Sequence, residues 1–254
     1  MAKPSKQERL AELSAKLAPT EEECREIASM GNAREVTFAP GAALPDAAFA
    51  TPGKATKFMT ITSSDVSPRH LADLARWPIL EQLILQGCRL GDEQSLAALV
   101  EAPRLRSLWL DGCNVTDAAM RHVGRIARLQ WVMLNGTRVT DAGLAELAGL
   151  TQLKWLNADD TAITDAGLMA LAGLMRLSRV TANRTGVTQA GKDALFAAQQ
   201  AERQAARRKS RAAAAAEAGK TPPPLPTQDP AELEQVKAAY LAFAPQCTSG
   251  SGRR

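Results

Sequence analysis

Hydrophobic residues in the middle of this chain recur with two alternating spacings. Short stretches alternate apolar and polar positions, as at Leu83 and Leu85 and again at Leu108 and Leu110, which is the period of a β-strand with one buried face. Each later stretch is followed by a Thr-Asp pair, a typical helix start; residues 139–150 read VTDAGLAELAGL. We therefore predict strands that alternate with helices, an α/β fold.

The whole pattern returns about every 24 residues. Segments that begin at Leu80, Leu105, Leu129, Leu153 and Leu177 all read L-x-x-[LV]-x-[LA]-x-x-[CT]-x-[LVI]. A degenerate earlier copy also fits, so the central anchors are Met59, Leu83, Leu108, Val132, Leu156 and Val180. Because repeats of this period are typical of solenoids, we predict about six repeats over residues 56–198.

This repeat resembles that of the leucine-rich-repeat family, in a bacterial type whose helices start with V/I-T-D-A-G-L. The matching segments are VTDAAM at 115–120, VTDAGL at 139–144 and ITDAGL at 163–168. The resemblance implies a solenoid with a short parallel sheet on its concave side and helices on its convex side. It also implies a binding scaffold rather than an enzyme. We expect the Thr and Asp side chains to cap their helices.

Strand residues between the buried anchors should point away from the core, so the sequence predicts which side chains line the open face of the sheet. Three of the four tryptophans fall there and should form one apolar patch, which soluble monomers seldom leave bare. We predict that a protein or peptide binds this patch and the polar residues around it: Trp109, Trp131, Trp155, Ile84, Met133, Asp111, Asn135, Asn157, Asp159, Arg179 and Asn183. The alternative is that the tryptophans fill a tightly curved solenoid or are covered by the terminal segments of the chain.

The first 55 residues should form a helical cap, since the end of a solenoid otherwise exposes its core. One helix is predicted over Ser5 to Leu17 and a second from Thr20 to near Gly31, each with a polar start. Val36 and Phe38 are expected to add an edge strand. Trp77 lies outside the patch, and we expect it to seal the convex side.

A helical extension follows the repeats. A long helix is predicted from Gln189 to Gly219, and its part over residues 199–220 is basic and rich in alanine. A Pro-rich linker at 221–230 should precede an amphipathic helix and flexible tail at 231–254. We expect this last helix to dock either on the tryptophans or on a partner through Leu233, Val236, Tyr240 and Phe243.

The net charge of +4 is concentrated in residues 201–220, while the rest of the chain is near neutral. We therefore expect any attraction to nucleic acid or to an anionic surface to come from that segment and not from the central body. A solvated helix is the interpretation that we favour, since no base-reading element accompanies the charges. The residues concerned are Arg203, Arg207, Arg208, Lys209 and Arg211.

Composition indicates the compartment and the state of the thiols. No long apolar stretch predicts a transmembrane helix, and the first residues are too polar for a signal peptide, so a cytoplasmic location is the expectation. Four cysteines have neither zinc-site spacing nor the density of a disulfide scaffold. We expect free buried thiols, although Cys88 and Cys113 stand on neighbouring strands where a disulfide is the alternative.

Candidate catalytic chemistry is absent from the sequence pattern. His70 and His122 are the only histidines, and neither aligns near a cysteine, so no nucleophile has an adjacent base. The aspartates of the Thr-Asp pairs stand one repeat apart, which argues against a metal site. We predict a non-catalytic protein-interaction module without cofactor or metal. The alternative is an assembly subunit whose helical tails make the contacts while the solenoid acts as a spacer.

Overall fold

The computed structural model describes residues 5–30, 34–53 and 55–217, and the chain divides into a first unit, residues 1–200, and a second unit, residues 201–254. Strands and helices alternate through the first unit, which confirms the predicted α/β repeat. The strands are β1 Glu35–Thr37, β2 Phe58–Thr62, β3 Asp65–Val66, β4 Gln82–Gln86, β5 Arg89–Leu90, β6 Ser107–Trp109, β7 Trp131–Met133, β8 Trp155–Asn157 and β9 Arg179–Thr181. The α-helices are α1 Lys6–Ser14, α2 Glu21–Ser29, α3 Pro68–Ala75, α4 Asp117–Val123, α5 Asp141–Glu146, α6 Asp165–Met169 and α7 Gln189–Glu217, and short 3₁₀ helices cover Ser95–Glu101 and Leu147–Gly149.

Seven strands form one parallel sheet in the order β1-β2-β4-β6-β7-β8-β9. Parallel neighbours need a crossover connection, and in each repeat a helix or a helical turn supplies it. The register places the repeat anchors side by side, so that Leu83 pairs with Leu108, and Val132 with Leu156. β3 and β5 form a second, two-stranded parallel sheet that the repeat pattern did not predict.

The core lies between the large sheet and the helices. The anchors Leu83, Leu108, Val132 and Leu156 are fully buried, as are the leucines that begin each repeat motif. Burial of one such side chain stabilises a fold by about 1.5–3 kcal/mol, and stacked repeats sum these contributions along the array. The opposite face of the sheet, which we call the sheet face, therefore carries the side chains that the core does not use.

Aspartates link successive repeats on the helix side. Asp141 accepts hydrogen bonds from the backbone N–H of Thr164, at 2.7 Å, and from its hydroxyl, at 2.6 Å. The same bridge joins Asp117 to Thr140 and Asp165 to Thr188. We call it the clasp. Of the Thr and Asp side chains considered as caps, threonine supplies the cap at Thr140 and Thr164. The neighbouring aspartate carboxylates accept from the threonine of the next repeat.

The clasp is absent one repeat earlier. Asp92 holds the equivalent position, but its Oδ1 accepts from the Gln94 N–H and the Ser95 hydroxyl of its own repeat. Thr116, the expected recipient, makes no capping bond, and its buried hydroxyl has no partner among the described residues. A cavity of about 130 Å³ lies between the two, lined by residues such as Asn114 and Ala119.

The amino-terminal cap agrees with its prediction. Ser5 and Thr20 start α1 and α2 with complete capping boxes, and β1 adds a parallel edge strand to β2. Trp77 is 1% exposed, and its indole N–H donates to the Phe49 carbonyl at 3.0 Å. The loop that precedes β2 thus contacts Trp77.

At the other end of the first unit, α7 covers the last repeat. Leu195 is fully buried, and the Gln199 side chain donates to the Leu174 carbonyl at 3.1 Å. In the second unit, residues 201–214 of α7 are exposed. The predicted Pro-rich linker, the amphipathic helix with Leu233, Val236, Tyr240 and Phe243, and Cys247 lie outside the described residues. No helix in the described part of the chain has the length and apolar character to cross a membrane.

Candidate functional site

Strand register brings the three tryptophans of the sheet face together. Trp131 pairs with Trp155 on β8, while Trp109 pairs with Met133, two residues along from Trp131 on β7. Side chains two residues apart on a strand point to the same face, and neighbouring parallel strands lie about 4.8 Å apart. The rings therefore form one cluster across β6, β7 and β8.

The cluster encloses a depression of about 350 Å³. All three tryptophans are half-buried, and Trp109 Nε1 donates to Ser107 Oγ at 2.9 Å. Met133 is only 4% exposed and lies among the rings. Each wall residue comes from the first unit: Phe58, Glu81, Gln82, Arg106, Ser107, Trp109, Trp131, Met133 and Trp155.

The predicted binding set omits part of this lining. Phe58, Gln82 and Ser107 occupy the same repeat position as Trp131, so the repeat alignment places them on the same face, although they were not among the predicted binding residues. Glu81 and Arg106 stand one position before Gln82 and Ser107. Apolar and polar residues do not alternate at that point, so the sequence does not predict to which face these two side chains point. Conversely, Ile84, which is half-buried on β4 next to Trp109, does not line the depression.

Four of the polar residues predicted to surround the patch are joined by a ladder of hydrogen bonds: Asp111, Asn135, Asp159 and Asn183. Asp111 accepts from the Asn135 N–H at 2.9 Å, Asn135 from the Asp159 N–H at 3.0 Å, and Asp159 from the Asn183 N–H at 2.6 Å. Burial raises the pKa of the Asp111 carboxyl, although hydrogen bonds with Asn135 act in the opposite direction. One side-chain oxygen of Asp111 and of Asn135, and both carboxylate oxygens of Asp159, are thus used inside the fold.

We expect Asn135→Ala to lower the free energy of unfolding by about 1–2 kcal/mol, because the Asp159 N–H loses its nearer acceptor, at 3.0 Å. Urea denaturation followed by circular dichroism measures the loss. Asn157→Ala is the matched control, since its Oδ1 reaches the same N–H only at 3.4 Å. Equal losses in the two variants would contradict a structural role for the ladder.

Cations lie over two of the three tryptophan rings, those of Trp131 and Trp155. The Lys154 Nζ is 5.6 Å from the centroid of the Trp131 ring, and the Arg179 Cζ is 4.8 Å from that of Trp155. Such contacts attract a cation to the ring face. At the opposite end of the sheet, Arg34 lies over Phe58 at 5.3 Å. Arg179 therefore has a defined place beside the cluster.

Other reactive side chains are engaged elsewhere. Cys88 and Cys113 are free and buried, and their thiols donate to the carbonyls of Ile61 and Leu85. Contact with Cys88 and burial raise the pKa of Cys113, and burial raises the pKa of Cys24 to about 11. The thiols of Cys24 and Cys113 therefore resist ionisation, whereas the contact with Cys113 lowers the pKa of Cys88. The described residues contain no group of three His, Cys, Asp or Glu side chains placed to hold a metal ion.

Comparison with solved structures identifies the architecture. An internalin from Listeria monocytogenes matches 65% of this chain with a TM-score of 0.51 and 15% sequence identity. The chain has the leucine-rich-repeat fold. It spans 45% of that internalin's length. The leucine-rich-repeat fold implied by the resemblance of the repeat motifs is thereby confirmed.

Two further solved structures resemble the chain more weakly. Internalin C2 of the same bacterium is 18% identical over 67% of this chain and 77% of its own, with a TM-score of 0.49. A plant peptide hormone receptor, RGFR1, in complex with RGF2, is 12% identical over 63% of this chain and 26% of its own, with a TM-score of 0.43. No protein-family model and no curated protein sequence matches the chain.

Proposed function

We propose that the chain is a non-catalytic interaction module that binds a protein or peptide segment on the sheet face of its leucine-rich repeats. The observation that carries the proposal is the depression between Trp109, Trp131 and Trp155. Its volume of about 350 Å³ falls at the lower end of the roughly 300–1,000 Å³ typical of binding pockets. Tryptophan is also among the side chains that contribute most to interface energies.

The position of the depression supports a partner from outside the repeats. All the residues that line the depression lie between positions 58 and 155. In the described part of the chain, no residue of α1, α2 or α7 therefore lines it. The indole N–H of Trp155 is buried without a hydrogen-bond partner among the described residues. A buried donor of this kind costs free energy until an acceptor pairs with it.

A non-catalytic role fits the state of the titratable groups. His70 has both ring nitrogens engaged, by the Ser67 N–H and the Pro45 carbonyl. His122 is buried, at 7% exposure. Cys88 and Cys113 donate to backbone carbonyls, so neither of them is paired with a base as a nucleophile would need.

Selection of displayed random 12-residue peptides on the full chain tests the proposal. We expect the double variant Trp131→Ala, Trp155→Ala to weaken the selected peptides about 100-fold, since two central aromatic anchors are worth roughly 2–4 kcal/mol. Fluorescence anisotropy with labelled peptides measures the affinity, and circular dichroism checks that the variant is folded. Binding that is unchanged in a folded variant would refute the site.

A second function is favoured by residues 201–214 of α7, which are exposed and rich in basic side chains. In that alternative, the tails make the contacts of an assembly subunit. The matched control is a full-length variant with alanine at all four predicted tail positions, Leu233, Val236, Tyr240 and Phe243. If the partner binds on the sheet face, this tail variant keeps its affinity for the selected peptides. If the tails make the contacts, the tail variant loses that affinity.

A further inference from the structure

Charge is segregated between the two edges of the large sheet. We call the loops that lead into the strands the N-terminal edge, and those that follow the strands the C-terminal edge. The three residues before each strand carry many cations and a single carboxylate, that of Glu81. The cations are Arg34, Lys57, Arg104, Arg106, Arg128, Lys154 and Arg176.

Little of this positive charge is neutralised within the described part of the chain. Lys57 pairs with Glu81 at 2.9 Å, and that hydrogen bond lowers the pKa of the carboxyl. The ion pairs of the described residues involve no other cation of this edge. Arg106, Lys154 and Arg179 are exposed. Their charges therefore remain available beside the tryptophans.

The C-terminal edge has the opposite character. Two of its three arginines are matched by aspartates, Arg89 with Asp65 and Arg184 with Asp160, while Arg138 has no ion pair among the described residues. Asp111 and Asp159 remain as members of the hydrogen-bond ladder. The net charge of the repeats is thus near zero although one edge is basic and the other is acidic. The depression adjoins the basic edge, since Arg106 lines it.

We propose that the partner segment of the sheet face is an acidic peptide, and this rests on the proposed function. A large apolar side chain of the peptide occupies the depression. Aspartate or glutamate side chains beside it pair with Arg106, Lys154 and Arg179. Backbone hydrogen bonds place Gln130 between Arg106 and Lys154, so these two cations lie two strand spacings, about 10 Å, apart along the edge.

The same observations favour a peptide over single-stranded nucleic acid. Nucleic-acid grooves combine a basic track along the backbone with aromatic faces on which bases stack. Here Lys154 and Arg179 already lie over the rings of Trp131 and Trp155. A phosphate chain that crossed the sheet would also meet Asp111 and Asp159. A short acidic segment held at one edge avoids both conflicts.

The test uses the full chain, the selected 12-residue peptides and a 20-nucleotide oligothymidine. We expect the peptides to carry net negative charge and a large apolar residue. The charge-reversed variant Arg106→Glu, Lys154→Glu should bind them about tenfold more weakly, as loss of two exposed ion pairs implies. Arg121→Glu, on the exposed side of α4, is the matched control and should stay within about twofold.

The outcomes separate the two proposals. Peptides that need Trp131 and Trp155 but are neutral or basic would overturn the acidic partner and leave the sheet-face site standing. Unchanged peptide affinity in the charge-reversed variant would also overturn the acidic partner. So would displacement of the peptides by oligothymidine at nanomolar concentrations. Failure of any peptide to depend on the tryptophans would remove both proposals. If charge reversal disturbs the circular dichroism spectrum, Arg106→Gln, Lys154→Gln replaces it, with about threefold weaker binding expected.

Discussion

We expect Gly124→Ala to lower the free energy of unfolding by about 3 kcal/mol, the upper part of the range for overpacked sites. A Cβ at this position would overlap the carbonyl oxygen of Glu146 and lie 2.9 Å from its carbonyl carbon. Gly124 ends α4, and Glu146 is the last residue of α5. Because the obstacle is backbone, relief requires that two neighbouring repeats move apart.

Urea denaturation monitored by circular dichroism and by tryptophan fluorescence measures this loss. Gly149→Ala and Gly173→Ala are matched controls: the first would meet only the Gly124 carbonyl at 3.9 Å, and the second would meet nothing within 4 Å. Both should change stability by less than about 1 kcal/mol. A similar loss at all three positions would show that glycine flexibility, rather than the close approach of the repeats, sets the effect.

The second large effect concerns the clasp. Asp141→Ala removes two hydrogen bonds to Thr164 and should cost about 3 kcal/mol, since bonds to charged groups contribute about 1.5–3 kcal/mol each and these are partly exposed. Gly167→Ala should cost about as much, because its Cβ would overlap Oδ1 of Asp141 and lie 2.9 Å from Cγ. Either change alone breaks the same bridge.

The double variant Asp141→Ala, Gly167→Ala should therefore lose only about 3–4 kcal/mol, which gives a coupling of about 2 kcal/mol in a double-mutant cycle. The same denaturation measurement applies. Asp141→Ala combined with Gly173→Ala is the control and should be additive, since nothing links those positions. Additive losses for Asp141 and Gly167 would argue against the clasp as the reason for the glycine.

The sequence predicted the strands and the core because burial has a period. Every repeat anchor from Met59 to Val180 is buried in the sheet, and the strand order follows from repeats that stack one after another. The clasp was not predicted because Thr and Asp at these positions are already explained as helix-capping residues. The sequence also does not show whether an aspartate side chain contacts its own repeat or the next one. The glycines three residues beyond each recipient threonine were the unused signal.

The candidate site divides along similar lines. Alternation about the anchors placed Trp109, Trp131 and Trp155 on one face, and the register confirms that they are neighbours. Arg106 was missed because two residues separate the first and second leucines of each motif, so alternation assigns no direction there. Asp111 and its ladder partners were expected to face a ligand, but the backbone N–H groups of the next repeat compete for the same oxygens.

The missing bridge between Asp92 and Thr116 divides the array into segments of unequal coupling. In a linear array of repeats, each interface between neighbours contributes separately to cooperativity. The clasps of Asp117, Asp141 and Asp165 link every pair of neighbouring repeats in their segment. The boundary at Thr116 lacks that contribution and adjoins a cavity. We therefore expect local opening of the first unit to start at this boundary, and β7 and β8, which carry two of the tryptophans, to lie in the cooperative segment that opens last.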